Sequence, residues 1–252
     1  MLLIAAAALL LSACGGRLAK KQYEYEEELY LALDGSATLN VNASVPALVA
    51  LRGVDLNPSA RARFDREQIR RFYEGPGVTV TALSSSRRYG RRFVHVSIDV
   101  ADVRALERLA PFAWSTYRFG REGDVYEFKQ AVGSAAGKSV GDVGWDGTER
   151  VAFRMHLPSR ITYHNAPSHR MERGNILEWE QSFTDRLRGS PIDVDVQVET
   201  QSILARTLLL FGTTAVAALG TLALVIWWFA RRGRSATNRR SGTGDWEAPS
   251  PQ

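Results

Sequence analysis

The chain of 252 residues holds a single cysteine, Cys14. With one thiol no internal disulfide can form, so an oxidising compartment neither stabilises nor harms the fold. Whatever folds here must stand on its apolar core, and a domain approaching two hundred residues is long enough to bury one. The one Gly-x-Ser-x-Gly string, Gly137-Lys138-Ser139-Val140-Gly141, falls inside a small-residue stretch read as a loop, not between an apolar strand and a helix, so it does not make the elbow a hydrolase nucleophile needs. No repeat of fixed period occurs either, which argues against solenoids and propellers. Between Thr207 and Ala230 there is no ionisable side chain. That last absence is the most informative, because a soluble helix keeps a polar face.

Roughly two dozen apolar residues at 1.5 Å rise cover the ~30 Å hydrocarbon core of a bilayer. Trp227 and Trp228 form an aromatic pair at one end, and Arg231, Arg232 and Arg234 follow at once. By the positive-inside rule these arginines place residues 231–252 in the cytoplasm and everything before Arg206 outside, with Arg206 snorkelling at the outer interface. The expected span is 206–230, and the tail after it, poor in apolar residues, is expected to be disordered. Thr213, Ala217 and Thr221, with Gly220 beside them, form a small-residue stripe through which two spans could pair, so a homodimer is a candidate assembly.

The other end explains the cysteine. An apolar run from Leu2 leads into Leu11-Ser12-Ala13-Cys14, followed by Gly15-Gly16. This resembles the bacterial lipobox, with residues 1–13 as signal peptide, Cys14 as the lipid-attachment residue and 14–21 as a short lipidated linker. Nothing basic precedes Arg17, although such signals begin with Lys or Arg, which points to a start upstream. A lipidated Cys14 and a span after Arg206 enter the same leaflet, so the reading is a cytoplasmic-membrane protein with its domain outside. The span alone suffices for retention, and the lipid adds a second point of attachment.

Between the anchors, residues 22–205 read as an α+β domain, antiparallel and β-rich with two helices. Alternation marks hairpins over Tyr23–Val45 and Val78–Val100, with a polar turn from Ser84 to Gly90 in the second. A helix is expected from Pro58 to about Tyr73, and a short one capped by Asp102. Weaker strands follow near Ala113–Phe119 and Asp124–Gln130. Three clearer ones cover Val151–Leu157, Asn175–Gln181 and Ile192–Val198. The small-residue stretch Ala131–Gly147 reads as a loop or lid.

The Arg173–Trp179 segment (RGNILEW) after the turn at His164-Asn165-Ala166-Pro167, joined to a lipoprotein signal and a C-terminal span, resembles the LppM-type envelope lipoproteins. That resemblance implies a β-rich domain similar in shape to lipid-binding folds and linked to envelope glycolipids. It implies no catalytic residues.

Sharper chemical readings do not develop. Gly133-Ser134-Ala135-Ala136-Gly137-Lys138-Ser139 has one residue too few between its glycines for a P-loop, and no apolar strand ends at Gly133. His164, His169 and Glu172 lie close in sequence, but Pro167 between the two histidines breaks any shared helical face for zinc. His95 and His156 lie on polar strand faces where carboxylates can meet them. No cofactor and no metal is therefore expected. Glu24, Glu26, Glu27 and Glu28 read as a solvated acidic edge, or as a rim for a basic partner. The formal charge of +5 lies largely at the membrane boundary, so nucleic acid is not an expected partner. Arg87, Arg88, Arg91 and Arg92 flank one hairpin turn and are candidate contacts for lipid headgroups.

Three classes of function remain open. One is a module binding a lipid, glycolipid or other envelope component at the bilayer surface. The second is a non-catalytic subunit meeting an envelope protein partner, and the third an enzyme using the histidines. An internal apolar cavity would mark the first, a solid core with an apolar patch the second.

Overall fold

A computed structural model describes residues 21–167 and 175–237, without side-chain placement for 202–206 and 232–237. It divides into two units, Met1–Ser202 and Ile203–Gln252. In the first, ten strands form two sheets with the orders β3-β4-β2-β1-β7-β9 and β5-β6-β10-β8.

The first hairpin pairs β1 (Gln22–Leu31) with β2 (Ala37–Ser44). The alternation of Leu39, Val41 and Ala43 then runs without a break into α1 (Val45–Arg52), a helix the apolar pattern hides because all of Val45–Leu51 is buried. Its boundaries are nonetheless written in the chain: the Ser44 hydroxyl caps the Ala47 amide, Pro46 sits in the first turn, and Gly53 closes it at φ 67°. The helix expected from Pro58 is shorter than its pattern suggests. It is α2 (Arg66–Tyr73), started by Asp65, whose carboxylate accepts from the amides of Glu67 and Gln68.

Strands β3 (Val78–Arg88) and β4 (Arg91–Val100) make the second hairpin, in which the strand continues through the expected polar turn and only Tyr89-Gly90 connects. Asp102 caps a 3-10 helix over Val103–Arg108. Next come β5 (Ser115–Glu122) and β6 (Val125–Val132), an irregular strap from 133 to 148, and β7 (Glu149–His156). The domain ends with β8 (Ser159–His164), β9 (Ile176–Ser182), α3 (Phe183–Leu187) and β10 (Ile192–Ser202).

Pairing is antiparallel except between β1 and β7, which run parallel. The inner faces of the two sheets meet in one core: Leu29, Leu39, Phe153, Met155 and Trp179 from the first, Tyr117, Phe128, Val194 and Val196 from the second. Among the described residues, all strand pairing and the whole core lie within residues 22–202, which therefore close on themselves as a domain. The second unit is α4 (Ile203–Thr237), a helix that begins before and ends beyond the expected span.

Candidate functional site

Within α4, Thr207–Arg231 is long and apolar enough to cross a membrane. Trp227 and Trp228 are exposed on it, and the Arg231 guanidinium lies 5.2 Å from the Trp227 ring centre. The Thr213 hydroxyl donates to Leu210 O and that of Thr221 to Ala217 O, so the stripe's hydroxyls are satisfied within the helix. Arg206 and Arg232 fall on this helix, and their side chains lie outside the described residues. Cys14, His169 and Glu172 also lie outside them.

The acidic edge is not a solvated edge. A register shift between Tyr23 and Tyr25 against β7 turns consecutive residues inward, and Glu24 and Glu27 are both buried. Glu24 faces Arg91, whose Nε and Nη2 donate to its Oε1 at 3.2 and 2.8 Å, while Trp145 Nε1 donates to its Oε2 at 3.1 Å. Arg91 Nη1 donates in turn to the carbonyls of Val143 and Gly144. The strap expected as a lid is thus fastened. It is also tied at Ala136 and Gly137, whose amides donate to Leu51 O and Ala50 O, and at Lys138, whose ammonium donates to Gly53 O.

Four exposed guanidiniums at the hairpin tip reduce to two. Arg91 is turned into the protein, and Arg92 donates to the carbonyls of Ala60 and Ala62, whereas Arg87 and Arg88 stay exposed. Contrary to expectation a strand does lead into the P-loop-like string, since β6 ends at Val132, but no helix follows it and residues 133–148 stay irregular. Gly133 donates to Trp114 O, and a Cβ on it would sit 2.8 Å from that oxygen, so the glycine permits a close backbone approach.

Glu27 lies between the sheets, accepting from Tyr25 Oη at 2.5 Å. Burial pushes its carboxyl up to about 7, against the opposing pull of that hydrogen bond and of Arg52. The void it lines with Leu29, Tyr117, Gln130 and Trp179 measures about 10 Å³, room for roughly one water. No apolar chamber for an acyl chain opens there.

Two histidines, His95 and His156, are engaged in polar pairs across the outer face of the first sheet, whereas His164 ends β8 in the second sheet with its Nδ1 buried and without a partner among the described residues. His156 Nε2 meets Glu28 Oε1 at 2.7 Å and its ring stacks on Tyr30. His95 meets Asn42 and Ser86 rather than a carboxylate, and burial lowers its pKa. Arg154 bridges Glu26 and Glu178 on the same face. No group of three or more His, Cys, Asp or Glu side chains suited to a metal occurs among the described residues.

The second sheet carries a recess that sequence reading missed. Strand register sets Thr116, Ala131 and Asp193 in one row and Arg118, Lys129 and Asp195 in the next. With Asn165 they line an open groove of about 340 Å³. Lys129 is paired to Glu127 at 2.8 Å and to Asp195 at 3.8 Å. Arg118 and Asp193 enter no ion pair among the described residues, and Asp195 Oδ1 is buried without a partner. Asn165 is held in place, donating to Asp193 O and accepting from Trp179 Nε1 and the Asp195 amide. The strict alternation of Ile192–Val198 marks which side chains face this way, but nothing in one strand reveals its neighbours.

No protein-family model matches the chain. No curated protein matches it either. Among solved structures it is similar to the NMR structure of the folded domain of LppM from Mycobacterium tuberculosis, at 12% identity and a TM-score of 0.41, over 75% of this chain and 97% of that one. A likeness at that level assigns neither a family nor an activity.

Proposed function

We propose that this chain is a membrane-anchored extracytoplasmic binding module that takes the hydrophilic part of an envelope component, a lipid headgroup or glycan, in the groove of its second sheet. The observation that carries this reading is the contrast of volumes: about 10 Å³ between the sheets against about 340 Å³ in the polar groove. The groove stands at the lower end of the ~300–1,000 Å³ typical of small-molecule sites. Arg118 offers a guanidinium fork to phosphate or carboxylate, and Asp193 accepts from hydroxyl or ammonium groups. Anchoring by the span and by Cys14 supports the same reading, since it keeps the domain among such components.

Native mass spectrometry on the full chain, purified from its own membranes, tests this. The expected result is a reproducible adduct that Arg118→Ser/Asp193→Asn abolishes without altering the melting temperature. An adduct that survives in that variant belongs to another site. A clean mass from folded protein would instead favour the assembly-subunit reading, with a protein partner on these faces.

A further inference from the structure

We propose that the β3–β4 hairpin tip is a membrane contact, in which Arg87 and Arg88 meet anionic phospholipid headgroups and the Tyr89 ring enters the interface beside them. This rests on the membrane-anchored reading and adds a point of contact that neither anchor supplies.

The turn itself points to a use for Tyr89. Arg88 pairs with Arg91, leaving Tyr89 and Gly90 as a two-residue loop with φ of 52° and 72°. That is a primed hairpin turn, where Asn, Asp or Gly adopts the left-handed conformation readily and a bulky aromatic does not. Among the described residues, little offsets this strain. Its side chain is exposed at 51%, and the Arg91 guanidinium lies 5.9 Å from the ring centre. Strain of this kind persists where a residue serves something other than folding.

The four arginines around the turn divide into two kinds. Those after it are fastened inward, Arg91 to Glu24 and the strap carbonyls, Arg92 to Ala60 and Ala62. They hold the tip rigid from below. Those before it are exposed, and no ion pair among the described residues neutralises either; Arg88 lies 4.4 Å over the Phe93 ring, which leaves its charge intact. A rigid tip with two free guanidiniums and one amphipathic ring has the chemistry of an interfacial anchor. Guanidinium forks match phosphate oxygens, and a tyrosine ring settles at headgroup depth. Because the chain tethers the domain to a bilayer, even a weak contact is populated.

Flotation with vesicles tests this on residues 21–202, the self-contained domain, using phosphatidylcholine alone and phosphatidylcholine mixed with phosphatidylglycerol. We expect binding to the mixed vesicles that weakens with salt. Arg87→Ser/Arg88→Ser should reduce it roughly 20- to 30-fold, from about 1 kcal/mol per cation near an anionic surface. Tyr89→Asn should weaken binding while the domain melts no lower than the parent. The groove variant Arg118→Ser/Asp193→Asn should float like the parent, which separates this contact from the proposed ligand site. Equal flotation on both vesicle types, or undiminished flotation of the double arginine variant, overturns the proposal. Recovery of the full chain from the soluble fraction of cells would instead overturn the anchoring on which it rests.

Discussion

Arg91 Nη2 donates to Glu24 Oε1 across 2.8 Å, and the two side chains keep 3% and 0% of their surface in solvent. The pair joins three parts distant in sequence: the first strand, the base of the β3–β4 hairpin and the strap. Removing one partner strands the other charge in the interior. Arg91→Met is therefore expected to destabilise the domain by about 3–5 kcal/mol. Glu24→Gln/Arg91→Met should cost less than the sum of the single changes, which a double-mutant cycle by urea denaturation measures. Hydrogen exchange across 133–148 should rise in Arg91→Met, since the Val143 and Gly144 carbonyls lose their donor.

Glu27 sets a pH dependence of the opposite sense to most carboxylates. Its folded-state pKa of about 7 lies above the ordinary 4.5, so the folded domain holds a proton that the unfolded chain releases. Stability is full below about pH 4.5, falls as pH rises toward 7 and is level above it. The loss is roughly 3 kcal/mol at 1.36 kcal/mol per pH unit. Glu27→Gln should remove this slope in melts recorded from pH 5 to 8. A slope unchanged in Glu27→Gln would show that another group carries it.

Tyr89→Asn should stabilise the domain by about 1 kcal/mol, because asparagine tolerates the left-handed conformation that tyrosine adopts at φ 52°. Chemical denaturation reads this directly. A lower midpoint would mean that the ring packs in a way its exposure does not reveal.

Cys14→Ser should abolish metabolic labelling with palmitate while leaving the chain in the membrane fraction after carbonate washing. Truncation before Ile203 should leave a chain held only through Cys14. If Cys14→Ser still labels, the lipobox reading fails and the span reading stands.

Much of the β architecture was legible because alternation survives wherever one strand face is buried. Val94, Val96, Ile98 and Val100 point inward as their spacing says, and so do Leu177 and Trp179. Two kinds of feature were not legible. The run Val45–Leu51 has no polar side, so its helical period leaves no trace, and only Ser44, Pro46 and Gly53 mark it. Glu24 sits inside because a bulge and a distant arginine make its burial tolerable, and Glu27 because it keeps the inward alternation of Tyr25, Leu29 and Leu31; the bulge and Arg91 cannot be read from residues 22–31 alone. The groove likewise depends on β5, β6 and β10 lying side by side, whereas each strand by itself shows only a wet face.

The parallel pairing of β1 with β7 also bears on how the protein reaches its folded state. β1 lies between β2 and β7, and its second edge is satisfied only by residues 149–156. A chain threaded across a membrane from its N-terminus delivers β1 first and β7 much later. Early hairpin closure with β2 leaves a bare strand edge waiting through the emergence of four further strands and the strap. Contacts of such long sequence separation fold slowly, and an exposed edge invites mispairing in the interval. On the proposed extracytoplasmic topology, the chain should therefore commit to its fold only once β7 has emerged, late in its delivery, with the second edge of β1 open until then.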